Sequence, residues 1–525
     1  VDVSPEKQKV QKISDKEIFK LFDLAMAIEK HYGKPQDTEW AIEKGRVYMV
    51  QSRPVTTLNS DQGQEKGDDG KKVDQDISEA EILLKGAAAS TGMAAGKVVV
   101  IHSPSEIDKI KDGDVLVTEM TTPDYVPAMK RARGIVTDKG GRTCHAAIVS
   151  RELGIPCVVG TDTATTVLKD AGVVTVDGKS GIIYKGDVVP QKADDDLSQG
   201  SVTSVQTEKI ITATKLYVIS AEPEMAAKLS ERDVDGVGLL RAEFIIAEDI
   251  KEHPKKMIEE KRGEEFTQKL AKGLSEFAAA FHPRPVIYRF TDFKTNEYRN
   301  LTGGEKYEPE EENPMIGFRG CFRYHKDPEV FKLEIDAIKK VRELYDNLHV
   351  MIPFVRTIEE FRGVKQIMKD FDLAPELDPS FKLWIMVEVP SAVIRIDEYI
   401  KEGIDGVSIG SNDLTQLTLG LDRDSSVVAE QFDERDPAVL WMLERTVKAC
   451  RDAGITCSIC GQAPSVYPEI TQKLVEWGAT SISVMPDALE DTRKLIAQVE
   501  ERMILSELTK VKKEIEDLKN KLNES

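Results

Sequence analysis

Eight short apolar segments dominate the second half of the chain and restrict its fold more than any other feature. They alternate with amphipathic stretches of helical spacing, such as Phe331–Leu344 and Pro437–Ala453. Eight strand–helix units between residues 211 and 503 match the count and size of a closed TIM (β/α)8 barrel. The eight strand candidates are residues 216–220, 236–240, 286–290, 350–354, 383–387, 406–409, 455–459 and 481–484.

Polar side chains gather where six of these predicted strands end. In a barrel of this kind the carboxyl ends of the strands carry the active site. Any one of these residues has a structural explanation as a polar strand end, but their coincidence over six strands indicates a site. The residues are Arg241, Glu243, Arg289, Asp292, Arg356, Glu388, Ser411, Asn412, Asp413 and Cys460.

These residue types suit one chemistry. Glu388 and Asp413 supply hard oxygen ligands for Mg²⁺, which keeps waters or substrate oxygens in its other positions. Arginines bind carboxylate and phosphate through paired hydrogen bonds, and Cys460 can move a proton. Cys457-x-x-Cys460 also allows a zinc or redox interpretation. That interpretation lacks a second ligand pair, and residues three apart on a strand point to opposite faces.

A second candidate site lies earlier, at a glycine-rich turn. Strand pattern Gly134–Thr137 leads through Gly140–Gly141 into a helical stretch from residue 146 that ends at Gly154. We expect Thr143 to cap this helix and His145 to lie in its first turn. The helix start favours negative charge, so the ring of His145 can carry a phosphoryl group as a nucleophile. The alternative is a polar residue that merely begins a helix.

Composition excludes several classes of function. The net charge of −20 argues against nucleic acid and requires any anion site to be a focused cluster of arginines and metal. No apolar run is long enough to span a bilayer, and no signal peptide is visible. Six scattered cysteines do not form a disulfide framework, so we expect a cytoplasmic protein.

The motifs resemble those of the PEP-utilising enzymes, a family that includes phosphoenolpyruvate (PEP) synthases, pyruvate phosphate dikinases and enzyme I of the sugar phosphotransferase system. The resemblance extends from about residue 14 to 500. Over Tyr288–Tyr298 the sequence is more similar to the PEP synthase branch than to the dikinases or enzyme I. The matching stretches are residues 140–156, 238–244, 288–298, 313–320, 386–390, 408–416, 422–423 and 460–462.

This resemblance implies a role for each matching residue. His145 is the phospho-acceptor and Cys460 the proton donor, while Glu388 and Asp413 bind Mg²⁺ and substrate. Thr143 matches a position that kinases modify in some relatives. The residues expected to contact pyruvate or PEP are Arg241, Arg289, Arg319, Gly410, Ser411, Asn412 and Arg423.

The resemblance and the composition together predict six segments. Residues 1–57 resemble the end of an ATP-grasp nucleotide domain, in which Glu39 and Gln51 match residues at the metal–nucleotide site. Most of that domain is absent, so we expect a partial chain that does not itself bind ATP. Residues 58–76 and 188–210 are predicted linkers around a swivelling phosphohistidine domain, 77–187, although plain loops would have the same composition. Residues 211–503 form the predicted barrel.

Residues 504–525 form a predicted coiled-coil tail. Apolar residues recur at alternating steps of four and three: Ile504, Leu508, Val511, Ile515, Leu518 and Leu522. We expect the chain to form homo-oligomers, with barrel dimers and a larger assembly through this tail. The alternative is one amphipathic helix lying on its own barrel.

The predicted function is PEP formation from ATP, pyruvate and water through a phosphohistidine, with this chain retaining the phosphohistidine–pyruvate half-reaction. Two alternatives stay open. One is a PEP-dependent protein phosphotransferase like enzyme I. The absence of the helical partner-binding insertion from this sequence argues against it. The other is an assembly or scaffold fragment.

Overall fold

A computed structural model describes residues 36–43, 46–54, 80–141, 144–189, 209–423 and 431–523, together with the isolated positions 13, 18, 20–22, 24–26, 28 and 428. The chain divides into two compact units, residues 1–73 and 74–525. The predicted linker 58–76 and nearly all of the predicted linker 188–210 lie outside the described residues, as do Arg142 and Thr143.

The first unit contains a hairpin, which the alternating segments on either side of Lys44–Gly45 predict. Strands β1 (Gln36–Glu43) and β2 (Arg46–Pro54) pair antiparallel, with an irregularity between Glu39 and Trp40. Alternating polar and apolar residues produce this pairing because successive side chains of a strand face opposite sides. All described positions between 18 and 28 are helical, in agreement with the helix predicted there.

The second unit begins with the sheet of the histidine domain, which has the order β3-β10-β9-β5-β6-β7-β8-β4. The sequence patterns of residues 96–101, 114–118, 134–137, 157–160 and 173–176 predict five of these strands, and all five are confirmed. Strands β3, β4 and β10 were not predicted. Ala87–Ser90 lacks the branched residues that favour strands, so only its pairing with β8 makes it one. The strands are β3 (Ile82–Lys85), β4 (Ala87–Ser90), β5 (Met93–Ile101), β6 (Val115–Thr118), β7 (Gly134–Thr137), β8 (Cys157–Val159), β9 (Val173–Asp177) and β10 (Ile182–Lys185).

Eight parallel strands then form the predicted barrel. They lie in chain order, with β18 beside β11, and the Thr480 amide donates to the Cys457 carbonyl at 2.9 Å where β17 meets β18. Each predicted strand is confirmed to within two residues. The strands are β11 (Lys215–Ser220), β12 (Gly236–Arg241), β13 (Val286–Arg289), β14 (Leu348–Ile352), β15 (Leu383–Val387), β16 (Gly406–Ile409), β17 (Thr456–Ile459) and β18 (Ser481–Val484).

The helices surround the barrel and bury their apolar faces against its strands. The largest core cluster lies between strands and helices, whereas a smaller cluster with Met351, Trp384 and Cys460 fills the barrel interior. Cys457 belongs to the outer cluster, so Cys457 and Cys460 point to opposite faces, as predicted. The described helices are α1 (Val126–Arg131), α2 (His145–Leu153), α3 (Ala164–Val167), α4 (Ala226–Ser230), α5 (Glu243–Ile245), α6 (Pro254–Glu259), α7 (Gly263–Phe281), α8 (Thr295–Arg299), α9 (Gly320–Lys326), α10 (Pro328–Arg342), α11 (Ile358–Asp370), α12 (Pro390–Ile394), α13 (Ile396–Lys401), α14 (Ser411–Leu419), α15 (Pro437–Ala453), α16 (Ala463–Val466), α17 (Pro468–Trp477) and α18 (Leu489–Asn523).

The predicted tail is the continuation of α18, the last barrel helix, and not a separate helix that begins at residue 504. Its first turns are anchored, because Arg493 binds Asp235 and the Glu500 carboxylate accepts from the amides of Ala213 and Thr214. From residue 501 onward the described side chains are exposed. None of the described helices is long and apolar enough to cross a membrane.

Candidate active site

One cavity of about 1060 Å³ lies between the carboxyl ends of the barrel strands and the histidine domain. Of the residues expected to contact substrate, bind metal or act in catalysis, all but Ser411 contribute to its wall. From the barrel these are Arg241, Arg289, Arg319, Glu388, Gly410, Asn412, Asp413, Arg423 and Cys460, and from the histidine domain His145. His145 and Cys460, which lie in different domains, therefore face the same cavity.

His145 enters this cavity at the first position of helix α2. Gly140 turns the chain before it with a φ of +109°, and a Cβ there would lie 2.7 Å from the Cys144 sulfur, so glycine is required. The residue that precedes the helix is Cys144, not the predicted Thr143. Gly154 ends the helix with a φ of +67°, as predicted.

A hydrogen bond fixes the ring of His145. Thr121 Oγ1 lies 2.8 Å from His145 Nδ1, and Thr121 is buried. When Nδ1–H donates to that hydroxyl, Nε2 keeps its lone pair. Burial, followed by the charges of Arg241 and Lys294, lowers the pKa of His145 to about 4. The ring is therefore neutral near pH 7, which a nucleophilic nitrogen requires.

Three contacts hold the histidine domain on the barrel. Lys130 of α1 pairs with Glu222 at 2.7 Å and with Glu248 at 2.5 Å. Arg151 of α2 donates to the Gln462 side chain at 2.6 Å, and both residues are buried.

The third contact is apolar. Phe244 packs against the core of the histidine domain, and the Arg241 guanidinium lies 5.9 Å from the centre of its ring. Several of the anchoring residues therefore also line the cavity, namely Lys130, Phe244, Glu248 and Gln462.

A chain of buried ion pairs joins the arginines of the cavity. Arg319 donates to Asp292 Oδ1 at 3.0 Å and to Oδ2 at 2.6 Å, in the paired geometry that favours guanidinium–carboxylate binding. The same guanidinium reaches Asp413 at 3.2 Å and stacks on the Phe354 ring at 4.1 Å. Arg319 is thereby fixed before any ligand binds.

Arg289 is joined to the same group through Asp292, at 3.8 Å. Arg289 donates to Glu243, which also accepts from the Asp292 amide at 2.9 Å. Burial and the neighbouring charge of Arg289 lower the pKa of Arg241 to about 10. Burial also acts on Arg289, but the charges of Glu243 and Asp292 outweigh it and raise the pKa of Arg289. The positive charge of Arg241 is therefore the disfavoured one, and an anion beside it would stabilise that charge.

The two predicted metal ligands, Glu388 and Asp413, both line the cavity, and their pKa values shift in opposite directions. Burial and the charges of Asp292 and Asp413 raise the pKa of Glu388 to about 8. For Asp413, burial raises the pKa, but Arg423 and Arg319 outweigh it and lower the value to about 2. The Glu388 carboxylate packs closely against the backbone of Gly410. A side chain at that position would not fit, because its Cβ would lie 2.8 Å from Glu388 Oε2.

These carboxylates fit a divalent ion. The described residues contain no cluster of three or more His, Cys, Asp or Glu side chains arranged to hold a metal alone. Mg²⁺ does not require such a cluster, since it usually takes one or two carboxylates and fills its octahedron with waters and substrate oxygens. The mutual repulsion that raises the pKa of Glu388 is what a cation beside Glu388 and Asp413 would remove.

Cys460 follows strand β17 and is nearly fully buried. Its sulfur lies 3.7 Å from the Ile409 carbonyl. Burial raises the pKa of this thiol to about 12, although a hydrogen bond from Ser408 opposes the rise. Cys460 is thus a protonated thiol at neutral pH, which is the state that a proton donor needs.

Two residues singled out at the strand ends turn away from the cavity. The Ser411 hydroxyl donates to Glu434 at 2.5 Å, behind the wall. Arg356 donates to the Gly317 carbonyl at 2.6 Å and to that of Arg319 at 3.3 Å, so it braces the loop that carries Arg319.

Several cavity or supporting residues escaped the sequence reasoning. Lys294 faces the cavity. The backbone N–H of Gln462 donates to Asn412 Oδ1 at 2.9 Å. Both lie inside motifs that were noted, so their position in those motifs was an available signal. Thr121 had none, because its role depends on a residue 24 positions away.

Comparison with known families agrees with this architecture. Residues 197–501 match the PEP-binding domain of PEP-utilising enzymes, and residues 110–181 match the mobile domain of the same enzymes. Residues 1–73 match the AMP/ATP-binding domain of pyruvate phosphate dikinase, in agreement with the origin expected for the hairpin. Whether the chain binds ATP stays a prediction.

The chain is also similar to whole curated proteins. It is 48% identical over 506 residues to the phosphoenolpyruvate synthase of Pyrococcus furiosus, which covers 95% of this chain and 60% of that protein. A probable phosphoenolpyruvate synthase of Archaeoglobus fulgidus is 47% identical over 516 residues, or 97% of this chain and 66% of the relative. The corresponding enzyme of Neisseria meningitidis is 42% identical over 521 residues, or 94% and 64%. The chain thus spans about three fifths of the length of these relatives.

Proposed function

This chain belongs to the PEP-utilising enzymes, and from that premise we propose that it transfers a phosphoryl group between His145 and pyruvate at the barrel. The observation that carries the proposal is that His145 faces the same cavity as Arg241, Arg289 and Cys460. This is the half-reaction of a PEP synthase, in which ATP, pyruvate and water yield AMP, PEP and phosphate. The names of the relatives support that overall reaction.

Substrate binding would use the buried arginines. Arg241 and Arg289 are close enough for their charges to repel, and a phosphate between them would be bound by charge-assisted hydrogen bonds. Arg319, held by Asp292 and Asp413, presents its charge without further ordering. The carboxylate end of the substrate would lie toward Asn412 and the start of helix α14.

The transfer itself balances with residues of this chain. In the direction from PEP, the P–O bond to the enol oxygen breaks while a P–N bond to His145 Nε2 forms. The enolate that leaves takes a proton at its methylene carbon from the Cys460 thiol and becomes pyruvate. The thiolate regains its proton from solvent. Synthesis of PEP is the reverse.

Mg²⁺, when bound between Glu388 and Asp413, would withdraw negative charge from the oxygens of the substrate. The chain contributes the rest of the environment. Arg319 and Arg423 keep Asp413 ionised, since they lower its pKa to about 2. The docked histidine domain covers the barrel mouth and excludes water from the reacting atoms.

The front end of the chain favours a nucleotide-dependent synthase over a PEP-dependent protein phosphotransferase. Residues 1–73 match an AMP/ATP-binding domain, which a phosphotransferase of the enzyme I type does not need. We expect the matched stretch to be insufficient for ATP binding, so PEP is the phosphoryl source to test on this chain.

The direct test is phosphorylation of His145 by PEP. The chain is incubated with PEP and Mg²⁺, and acid-labile phosphate is located by mass spectrometry at neutral pH. We expect phosphate on His145 in the wild type and none in His145→Asn. The matched control is His282→Asn, which alters an exposed histidine at the opposite end of the barrel and should leave labelling unchanged.

The negative outcomes separate the parts of the proposal. A folded chain that binds PEP but carries no phosphate would mean that His145 does not reach the substrate. Absence of PEP binding, measured by calorimetry, would refute the assignment of the barrel cavity as the PEP site.

We also propose that the end of α18 associates with other copies of the chain. Its apolar seam is exposed along the described part, from Ile504 at 61% to Leu518 at 59%, and the side chain of Leu522 lies outside that part. The seam does not lie on the chain's own barrel. Three heptads are marginal alone, so burial of these side chains needs a partner helix.

Light scattering tests this association. Removal of residues 504–525 should lower the mass of the assembly, and Leu508→Glu, within the seam, should do the same. Thr509→Glu lies outside the seam and should not. Equal masses for all forms would show that the helix does not drive association.

A further inference from the structure

A buried carboxyl group outside the cavity holds the end of strand β13. Glu334 lies on helix α10, is fully buried, and does not contribute to the cavity wall. Its Oε2 accepts from the Tyr288 hydroxyl at 2.7 Å and from the Thr291 amide at 3.1 Å. Its Oε1 lies 3.2 Å from the Tyr324 hydroxyl oxygen. Buried carboxyl groups are costly and seldom occur without a role.

The protons in this cluster can be counted. The Tyr324 hydroxyl also contacts the Thr291 carbonyl oxygen. A carbonyl oxygen carries no proton, so the single proton of Tyr324 lies between these two atoms. With an ionised Glu334, this one proton would be shared between the Thr291 carbonyl and Oε1. With a neutral acid, the proton on Oε1 donates to the Tyr324 oxygen, and Tyr324 donates to the carbonyl alone. All contacts are satisfied when Glu334 is a neutral acid.

The cluster holds both polar groups of one residue at the edge of the site. Glu334 binds the amide of Thr291, and Tyr324 binds its carbonyl. Thr291 lies between Arg289 and Asp292, which face the cavity. The position of these two side chains therefore depends on a hydrogen-bond network centred on the helix behind them.

We infer that Glu334 is a neutral carboxylic acid that positions Arg289 and Asp292 for the substrate. The inference rests on the proposed function for its catalytic consequence, although not for the protonation state. Glu334 touches no reacting atom, so it is a positioning residue that acts through Thr291.

The surroundings agree with a neutral acid. The titratable groups that face Glu334 are Tyr288 on β13, Tyr298 on α8, Tyr324 on α9 and Glu243 at the start of α5. Burial raises the pKa of Glu334 to about 7, although hydrogen bonds from Tyr288 and Thr291 oppose the rise. The carboxylate of Glu243 adds to it.

Glu334→Gln is the informative variant, because an amide reproduces the neutral acid. Its NH₂ group donates to Tyr324 and its oxygen accepts from Tyr288 and Thr291. Glu334→Leu removes both functions. Glu329→Gln, an exposed change on the same helix, is the matched control for loss of one negative charge.

The first measurement is urea unfolding between pH 5 and pH 8, which needs no activity. A carboxyl group whose pKa is raised by folding destabilises the fold as pH rises above its unfolded value of 4.5. Glu334→Gln lacks this loss. We expect a small difference between the unfolding midpoints at pH 5 and a larger advantage of Glu334→Gln over the wild type at pH 8. A difference independent of pH would overturn the inference.

The second measurement is the rate of His145 phosphorylation by PEP from pH 6 to pH 9. We expect Glu334→Gln to match the wild type at pH 6 and to keep its rate at pH 9, where the wild type falls. Glu334→Leu should lose at least tenfold at every pH. If Glu334→Gln is as poor as Glu334→Leu, the ionised carboxylate is required and the inference is wrong. A wild type without phosphorylation would refute the proposed function, while the unfolding measurement still decides the protonation state.

Discussion

Loss of the Thr121 hydroxyl should slow phosphorylation of His145 without unfolding the histidine domain. Thr121→Val keeps the volume of the side chain and removes the group that lies 2.8 Å from His145 Nδ1. Thr121 is buried, so its valine replacement leaves an apolar group in place of the hydroxyl beside Nδ1. The Nδ1–H is then unsatisfied, and the ring loses the contact that aims Nε2 at the cavity.

The magnitude follows from the cost of an unpaired buried donor, about 1–3 kcal/mol. At about 1.4 kcal/mol per factor of ten, this predicts a rate reduced by roughly 5- to 150-fold. We expect this cost to raise the barrier to phosphoryl transfer, because the ring must be aligned for the reaction and a displaced nucleophile reacts slowly.

Rapid quenching of the chain with PEP and Mg²⁺, followed by quantification of phosphohistidine, measures this rate. Thr121→Ser retains a hydroxyl and should recover most of it. Thr122→Val changes the exposed neighbour and should have no effect. Phosphorylation of Thr121→Val at the wild-type rate would refute the reasoning, and a loss in Thr121→Ser equal to that in Thr121→Val would mean that packing, not the hydrogen bond, matters.

Five further outcomes are expected. Because burial lowers the pKa of His145 to about 4, the ring stays neutral down to pH 5. The rate of its phosphorylation should therefore show no fall centred on pH 6.5, which a rate profile from pH 8 to pH 5 checks. The same depressed pKa destabilises the fold as pH falls from 6.5 through 4, so His145→Asn should be less sensitive to acid in circular dichroism. Cys460→Ala removes the proton donor, and exchange of the pyruvate methyl protons in D₂O, followed by NMR, should slow by about 10²-fold or more. Lys130→Met leaves the carboxylate of Glu222 buried without its partner, so the histidine domain should dock less firmly and His145 should react faster with diethyl pyrocarbonate; unchanged reactivity would show that this ion pair does not hold the domain. Phe331→Ala opens a cavity among fully buried rings and should lower the free energy of unfolding by about 3–5 kcal/mol, measured in urea.

The barrel was predictable because its signal is local. A strand buried on both faces appears as a short run of branched apolar residues, and amphipathic helices have their own period. Strands β15, β16 and β18 were predicted with the bounds observed. The missed strand β4 (Ala87–Ser90) has no such signal, since it forms only where β8 offers its edge.

The candidate site was predictable in its membership more than in its geometry. Motifs indicated His145, Cys460 and the arginines, and their shared cavity supports that set. Motifs do not indicate where a side chain points. Ser411 was expected to contact substrate, but its hydroxyl turns to Glu434.

By itself, the sequence determined the order of the elements, the barrel, and which residue types could carry phosphoryl transfer. Only the tertiary structure decided that the histidine domain rests on the barrel, that Lys130 and Arg151 anchor it there, and that Thr121 and Glu334 support the site. The physical reason is range. Periodicity and turn chemistry act between near neighbours in the chain, whereas burial, pKa shifts and hydrogen-bond partners depend on segments that meet only after folding.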